Sequence, residues 1–397
     1  MHRFTLLCGA LAALLLPGIH AQSHQHQGGA SAAERAAQAE LGAAAIFDPQ
    51  GRLWVVHQHA GNLVVRHSAD RGRTWSQPVP VGPGPEATDT GGDARPKIAL
   101  GPAGEIYITW TRPMTKPYTG EIRFSRSLDR GKTFLGPVTV HRDRQEITHR
   151  FDAITVNPQG QIFVAWIDKR DGVAAAKASG PSYRGAAVYF AVSDDRGATF
   201  RGDFKLADHS CECCRIALVP HRDGTVSALW RHIFAPNIRD HAMARLLPDG
   251  KPGEVRRATF EDWHVDACPH HGPSLAEDGT GRLHAVWFSL APESTGVFYG
   301  RLTQGGVEGL RRVGRETAEH ADLAVKGDQV AVAWKEFDGE RSLLRGMMSK
   351  DGGENWQEHE LASTGGASDQ PRVVTFQDRF HVLWNTRNEP LSVIAFP

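Results

Sequence analysis

The 397-residue sequence has no excess of either charge: 45 Lys and Arg stand against 45 Asp and Glu. A balanced surface offers no electrostatic footprint for nucleic acid or for an anionic membrane. No apolar run approaches the ~20 residues that a spanning helix needs, so no membrane span is expected. Long apolar patterns of 3.6-residue period are missing as well, and with them the signature of extended amphipathic helices. Tyrosine is scarce, with five in the chain and none after Tyr299. Cysteine is scarcer in distribution than in number: of five, one is Cys8 and the other four lie between residues 211 and 268.

What the chain has in quantity is glycine (42) and proline (23). Turns and short strands should therefore dominate, and the fold class is all-β. The amino terminus reads as a secretory signal peptide over residues 1–21: His2 and Arg3, an apolar run over 6–16, then a break ending at the small Ala21. Residues 22–40 form a polar, histidine-containing leader, and 41–397 a single domain. The expected compartment is periplasmic or secreted. Cleavage after Ala21 removes Cys8 and leaves Gln22-Ser23-His24, in which a free amine, two amide nitrogens and the His24 imidazole can nest Cu(II) or Ni(II).

From Ala43 onward one pattern recurs about every fifty residues: an apolar strand, a polar turn, then a strand ending at or near tryptophan. Seven tryptophans hold matched positions, Trp54, Trp110, Trp166, Trp230, Trp287, Trp334 and Trp384. Repeats of that length built from short alternating strands point to a β-propeller of four-stranded blades. Seven blades are expected, with six the alternative. The last unit has no obvious fourth strand, and a segment just before Ala43 is available to supply it and close the ring.

A second motif follows the third strand of several units. It reads Ser68-Ala69-Asp70-Arg71-Gly72-Arg73-Thr74-Trp75, and returns from Ser127 to Phe134, Ser193 to Phe200 and Ser349 to Trp356. Aspartate accepting from its own turn, a glycine at positive φ and a terminal aromatic make a hairpin plug. These four copies resemble the Asp-box (BNR) repeats of the sialidase-like β-propeller superfamily, and the resemblance covers nearly all of the chain from Ala43. It implies the fold far more than a function.

In such blades the segments leading into the first strands share a face with the loops joining second and third strands, around the central channel. The lead-in segments carry, in order, Arg95; His149 and Arg150; Cys211, Cys213, Cys214 and Arg215; Cys268, His270 and His271; Glu319 and His320; Asp369 and Gln370. His241 falls on a second-to-third-strand loop of the same face. The fourth and fifth lead-ins are neighbours, which brings Cys268, His270 and His271 beside the Cys211–Cys214 cluster.

Two readings of that cluster stay open. Four cysteines in an exported protein suit disulfides stapling adjacent blades, giving a scaffold for a protein partner. Thiolates and imidazoles on adjacent lead-ins also suit a soft metal, copper favoured and zinc second, with Cys211, Cys213, Cys214, Cys268, His270 and His271 as ligands and His24 as a separate donor. Arg95, Arg150, His320 and His241 are candidates for a small anionic ligand at the rim. The simpler role for Arg95 and Arg150 is pairing with Glu319 and Asp369 across the channel.

The resemblance also implies a second function, exo-α-sialidase-type glycoside hydrolysis, which needs three convergent arginines and a late nucleophilic tyrosine. Arg95, Arg150 and Arg215 are the available arginines. No tyrosine follows Tyr299, so no sialidase catalytic residue is carried over.

Overall fold

The structure, a computed structural model, describes residues 41–178, 183–387 and 389–397. The expected signal peptide, the expected leader with His24 and the segment expected to complete the last blade lie outside the described residues, except for Leu41 and Gly42. Within them the chain makes seven consecutive antiparallel sheets, six of four strands and a last one of three. The blades occupy residues 43–80, 97–139, 149–210, 217–257, 274–313, 319–364 and 372–395. One helix, Arg170–Lys177, rides on a loop of the third blade. No helix among the described residues is long and apolar enough to cross a membrane.

The first strands of successive blades touch in a closed cycle, including that of blade seven against that of blade one. All seven matched tryptophans lie on second strands, and all are almost fully buried. Six of them place the indole N–H on an oxygen: Trp54 on Asp48, Trp110 on Glu86, Trp166 on Asp168, Trp287 on Glu261, Trp334 on Glu336 and Trp384 on the Asp369 carbonyl. Burying a large ring with its one donor satisfied fixes the second strand of each blade in register. Trp230 is the exception, for its Nε1 is buried without a partner.

The four aspartate turns are built alike. Asp70 accepts from the Thr74 amide (2.8 Å) and hydroxyl (2.6 Å), while Ser68 Oγ accepts from the Gly72 amide (2.7 Å). The glycine has a second duty besides positive φ: it docks on the preceding blade. A Cβ on Gly131 would stand 2.5 Å from the Trp54 ring, one on Gly197 2.4 Å from Phe124, and one on Gly353 2.1 Å from the Tyr299 hydroxyl. Gly131→Ala therefore meets both a strained φ of 78° and a rigid indole. We expect it to cost about 1–3 kcal/mol in a denaturant melt, and a neutral result would remove the inter-blade role.

Hydrogen bonds from Thr74 and Thr133 hold the Asp70 and Asp129 carboxyls down at about 2. A depressed folded pKa contributes stability that is complete above the unfolded carboxyl value and is lost as pH falls through about 2. The urea midpoint should thus fall between pH 4 and pH 2, with a shallower fall in Asp129→Asn.

Candidate functional site

The strand Arg201–Ser210 ends blade three, and the chain then turns inward without regular structure before Ala217–Pro220 starts blade four. The turn is pinned by the Cys211 amide on the Arg231 carbonyl at 2.9 Å. It delivers three thiols to one point. Cys211 and Cys213 are 3.7 Å apart, Cys213 and Cys214 3.9 Å, and Cys214 and Cys211 3.9 Å, sulfur to sulfur. Their exposures are 1%, 4% and 2%. All four described cysteines are free, and the disulfide reading of the cluster is not shown.

The surroundings of the trio are cationic. Arg239 donates from Nη1 to Cys211 Sγ at 3.6 Å. Arg231 donates to the carbonyls of Arg239, His271 and Phe288, and lies over the Trp263 ring at 4.8 Å. Neither guanidinium has a carboxylate within ion-pair distance among the described residues, and the Nε of each is buried without a partner. A buried cation without an anion is costly, so the thiols are the groups placed to answer it. Hydrogen bonds from Cys213 and Cys214, with Arg231 and Arg239 nearby, hold the Cys211 thiol well below the usual range. Cys213, hydrogen-bonded to the neighbouring sulfurs, and Cys214, desolvated, are pushed up.

Cys268 comes from the blade-five lead-in, as expected. It neighbours the Cys213 thiol but stays outside the close triangle, and it is exposed. It opens on a cleft of about 700 Å³ lined also by Arg184, Glu212, Asn237, Arg239 and Asp266.

The histidines go elsewhere. His270 takes a left-handed φ of 55°, and the chain then carries His271 to the channel, where its ring stacks on Phe288 (3.9 Å) and on His320 (4.3 Å). His270 and His320 line a channel cavity of about 430 Å³ with Arg150, Lys335 and Asp89. The sequence placed His270 and His271 with the cysteines; the structure divides them into a sulfur site and a channel site. His271, Glu319 and His320 do bring ligand atoms within 4.8 Å of one another. Yet the two rings are parallel to within 18°, so their lone pairs run side by side and do not converge on one ion. Gln370 Nε2 also donates to His320 Nδ1 at 2.9 Å. Burial holds His271 down at about 3 and His320 well below the usual value, which keeps both neutral. His241 is buried against Thr259, 3.2 Å from its hydroxyl, with Nε2 unpartnered.

The arginines are committed internally. Arg95 makes a two-point ion pair with Asp369, both bonds 2.8 Å, and donates to the carbonyls of Gly92, Ala43 and Gln370. Arg215 pairs with Asp93 at 2.8 Å, and Arg150 pairs with Asp89. Pairing of Arg95 with Asp369 is as the sequence suggested, whereas Asp89 and Asp93 were missed as partners. Arg231 and Arg239 were missed altogether, because their main acceptors are carbonyls and sulfur, which carry no mark in a sequence. The one available signal was two arginines following Trp230 in the blade that holds the cysteines.

No family model and no curated protein sequence matches the chain. Among solved structures it is similar to a protein of unknown function from Dyadobacter fermentans, at 15% identity over 76% of this chain and 93% of that one, with a TM-score of 0.52. It is similar to an ulvan lyase of a polysaccharide lyase family at 11% identity, 89% and 90% coverage and a TM-score of 0.52. NanB sialidase from Streptococcus pneumoniae matches at 9% identity, over 75% of this chain and 65% of that one, with a TM-score of 0.46. Likeness at these identities speaks for a fold and not for a chemistry.

Proposed function

We propose that this propeller, which has the fold of the sialidase-like superfamily, is an exported protein that holds a soft metal ion on Cys211, Cys213 and Cys214, copper before zinc. The observation that carries the reading is the sulfur triangle itself. A triangle of 3.7–3.9 Å edges has its centre about 2.2 Å from each corner. That is a bond length for a thiolate on a soft ion, so an ion can be taken up with little movement of the sulfurs.

Charge selects between the ions. Three thiolates around Cu(I) carry a net charge of two minus, which Arg231 and Arg239 offset. The same thiolates around Zn(II) leave one positive charge unanswered in a buried place. The role is non-catalytic or redox-linked, and the periplasm or exterior is the compartment in which the leader and His24 would act.

Anaerobic titration of the reduced protein with Cu(I), followed by X-ray absorption at the copper edge, tests the reading. One equivalent bound by three sulfurs at about 2.2–2.3 Å is expected. Nitrogen ligation, or no binding in competition with a Cu(I) chelator, would sink it. Sialidase-type hydrolysis fares worse, since Arg95, Arg150 and Arg215 are each closed in an ion pair and cannot form a free carboxylate clamp.

A further inference from the structure

We propose that Cys268 is the exchange ligand of the sulfur site, the group that passes the metal ion between Cys213 and an external thiol carrier. The inference rests on the reading of the trio as a soft-metal site and adds how that site is loaded and emptied.

The trio cannot be reached directly. With exposures of 4% or less, its three sulfurs present no face to another molecule. An ion leaving such a site must shed protein ligands before it gains new ones, unless a further thiol bridges the gap. Cys268 is the described cysteine that is exposed, and its thiol neighbours Cys213, which also contacts both other sulfurs. Arg239 lines the cleft of Cys268 and at the same time donates to Cys211, so the cleft abuts the trio. Glu212, from the turn between Cys211 and Cys213, lines it too.

The segment bearing Cys268 is built to swing. Residues 265–272 contain no strand. They are tied at one end by Asn237 Nδ2 to the Val265 carbonyl (3.2 Å) and at the other by Arg231 Nη2 to the His271 carbonyl (3.0 Å) and the Gly272 amide to Asp93 (2.8 Å). Between those ties, the Cys268 sulfur can move without breaking a ladder.

In the exchange, the Cys268 thiol gives its proton to water and its sulfur bonds to the ion as Cys211 and Cys214 let go in turn. Each thiolate released from the trio takes up a proton. The carrier's thiolate then bonds to the ion as Cys213 leaves, and departure from Cys268 completes the transfer. Copper stays Cu(I) throughout and no electrons move. The carrier is recognised by its chemistry, an accessible thiolate of the glutathione kind.

Cys268→Ser separates speed from affinity. With Cu(I)-loaded protein, transfer to bicinchoninate in the presence of glutathione should slow at least about tenfold, because access governs exchange. The equilibrium affinity should stay within about threefold of the native value, since the trio is intact. A native transfer rate in Cys268→Ser overturns the proposal. So does a more than about tenfold loss of affinity, which would make Cys268 a permanent fourth ligand. Failure of the native protein to bind Cu(I) would instead remove the metal reading itself, so the two failures are distinguishable.

Discussion

Cutting Arg95 back to alanine is expected to lower the unfolding free energy by about 3–5 kcal/mol, the usual cost of removing one partner from a buried ion pair. Both side chains are nearly inaccessible, 3% for Arg95 and 5% for Asp369. Loss of the guanidinium leaves the Asp369 carboxylate facing a desolvated site, and burial already pushes its pKa up. It also strands the carbonyls of Ala43 and Gln370 that Arg95 serves. The pair joins blade two to blade seven, and through Ala43 to blade one, so the damage falls on the closure of the ring. The double variant Arg95→Met with Asp369→Leu should recover part of the loss, because it leaves no unpaired charge. A change below about 1 kcal/mol in the urea-derived stability of Arg95→Ala would show that the latch carries little.

The second large effect concerns the cations beside the sulfurs. Arg239→Met should weaken Cu(I) binding about 10- to 100-fold, the range seen when a group that orients a metal ligand is removed. Cys211→Ser, which deletes a proposed ligand outright, should cost more than that. Competition against bicinchoninate measures both. Arg239→Met adds no cavity of consequence and removes one positive charge, so an unchanged or tighter affinity would refute charge compensation while leaving the sulfur ligands in place. Zn(II) should respond less to the same change, because a zinc–trithiolate unit carries one negative charge fewer.

The architecture was open to sequence reasoning because it is written many times. Seven tryptophans at matched spacing and four aspartate turns each repeat one local argument, and chance cannot align so many. The trio of thiols was legible for a related reason, since residues within a four-residue stretch of one turn have few ways to avoid one another. The fate of His270 and His271 was not. They follow Cys268 closely, but a left-handed residue at His270 reverses the direction in which the chain faces, and no residue type there announces it. The pairing of Arg95 with Asp369 could be anticipated from opposite charges on lead-in segments that face one channel. The pairing of Arg215 with Asp93 could not, because Asp93 sits in a short 3-10 turn of glycine-rich chain that reads as a plain loop.

The ring seam has a consequence for the order in which the molecule is made. Ala43 donates its amide to Asp369, a contact across 326 residues, and closing so long a loop is among the slowest and entropically most expensive steps available to the chain. The sulfur triangle spans only residues 211–214. A polypeptide emerging amino end first will therefore hold a complete set of three thiols while blades five to seven are still unfinished and the circle is open. The turn that gathers the thiols is a local product of folding and the circle a global one, so the three sulfurs can come together before the propeller is shut.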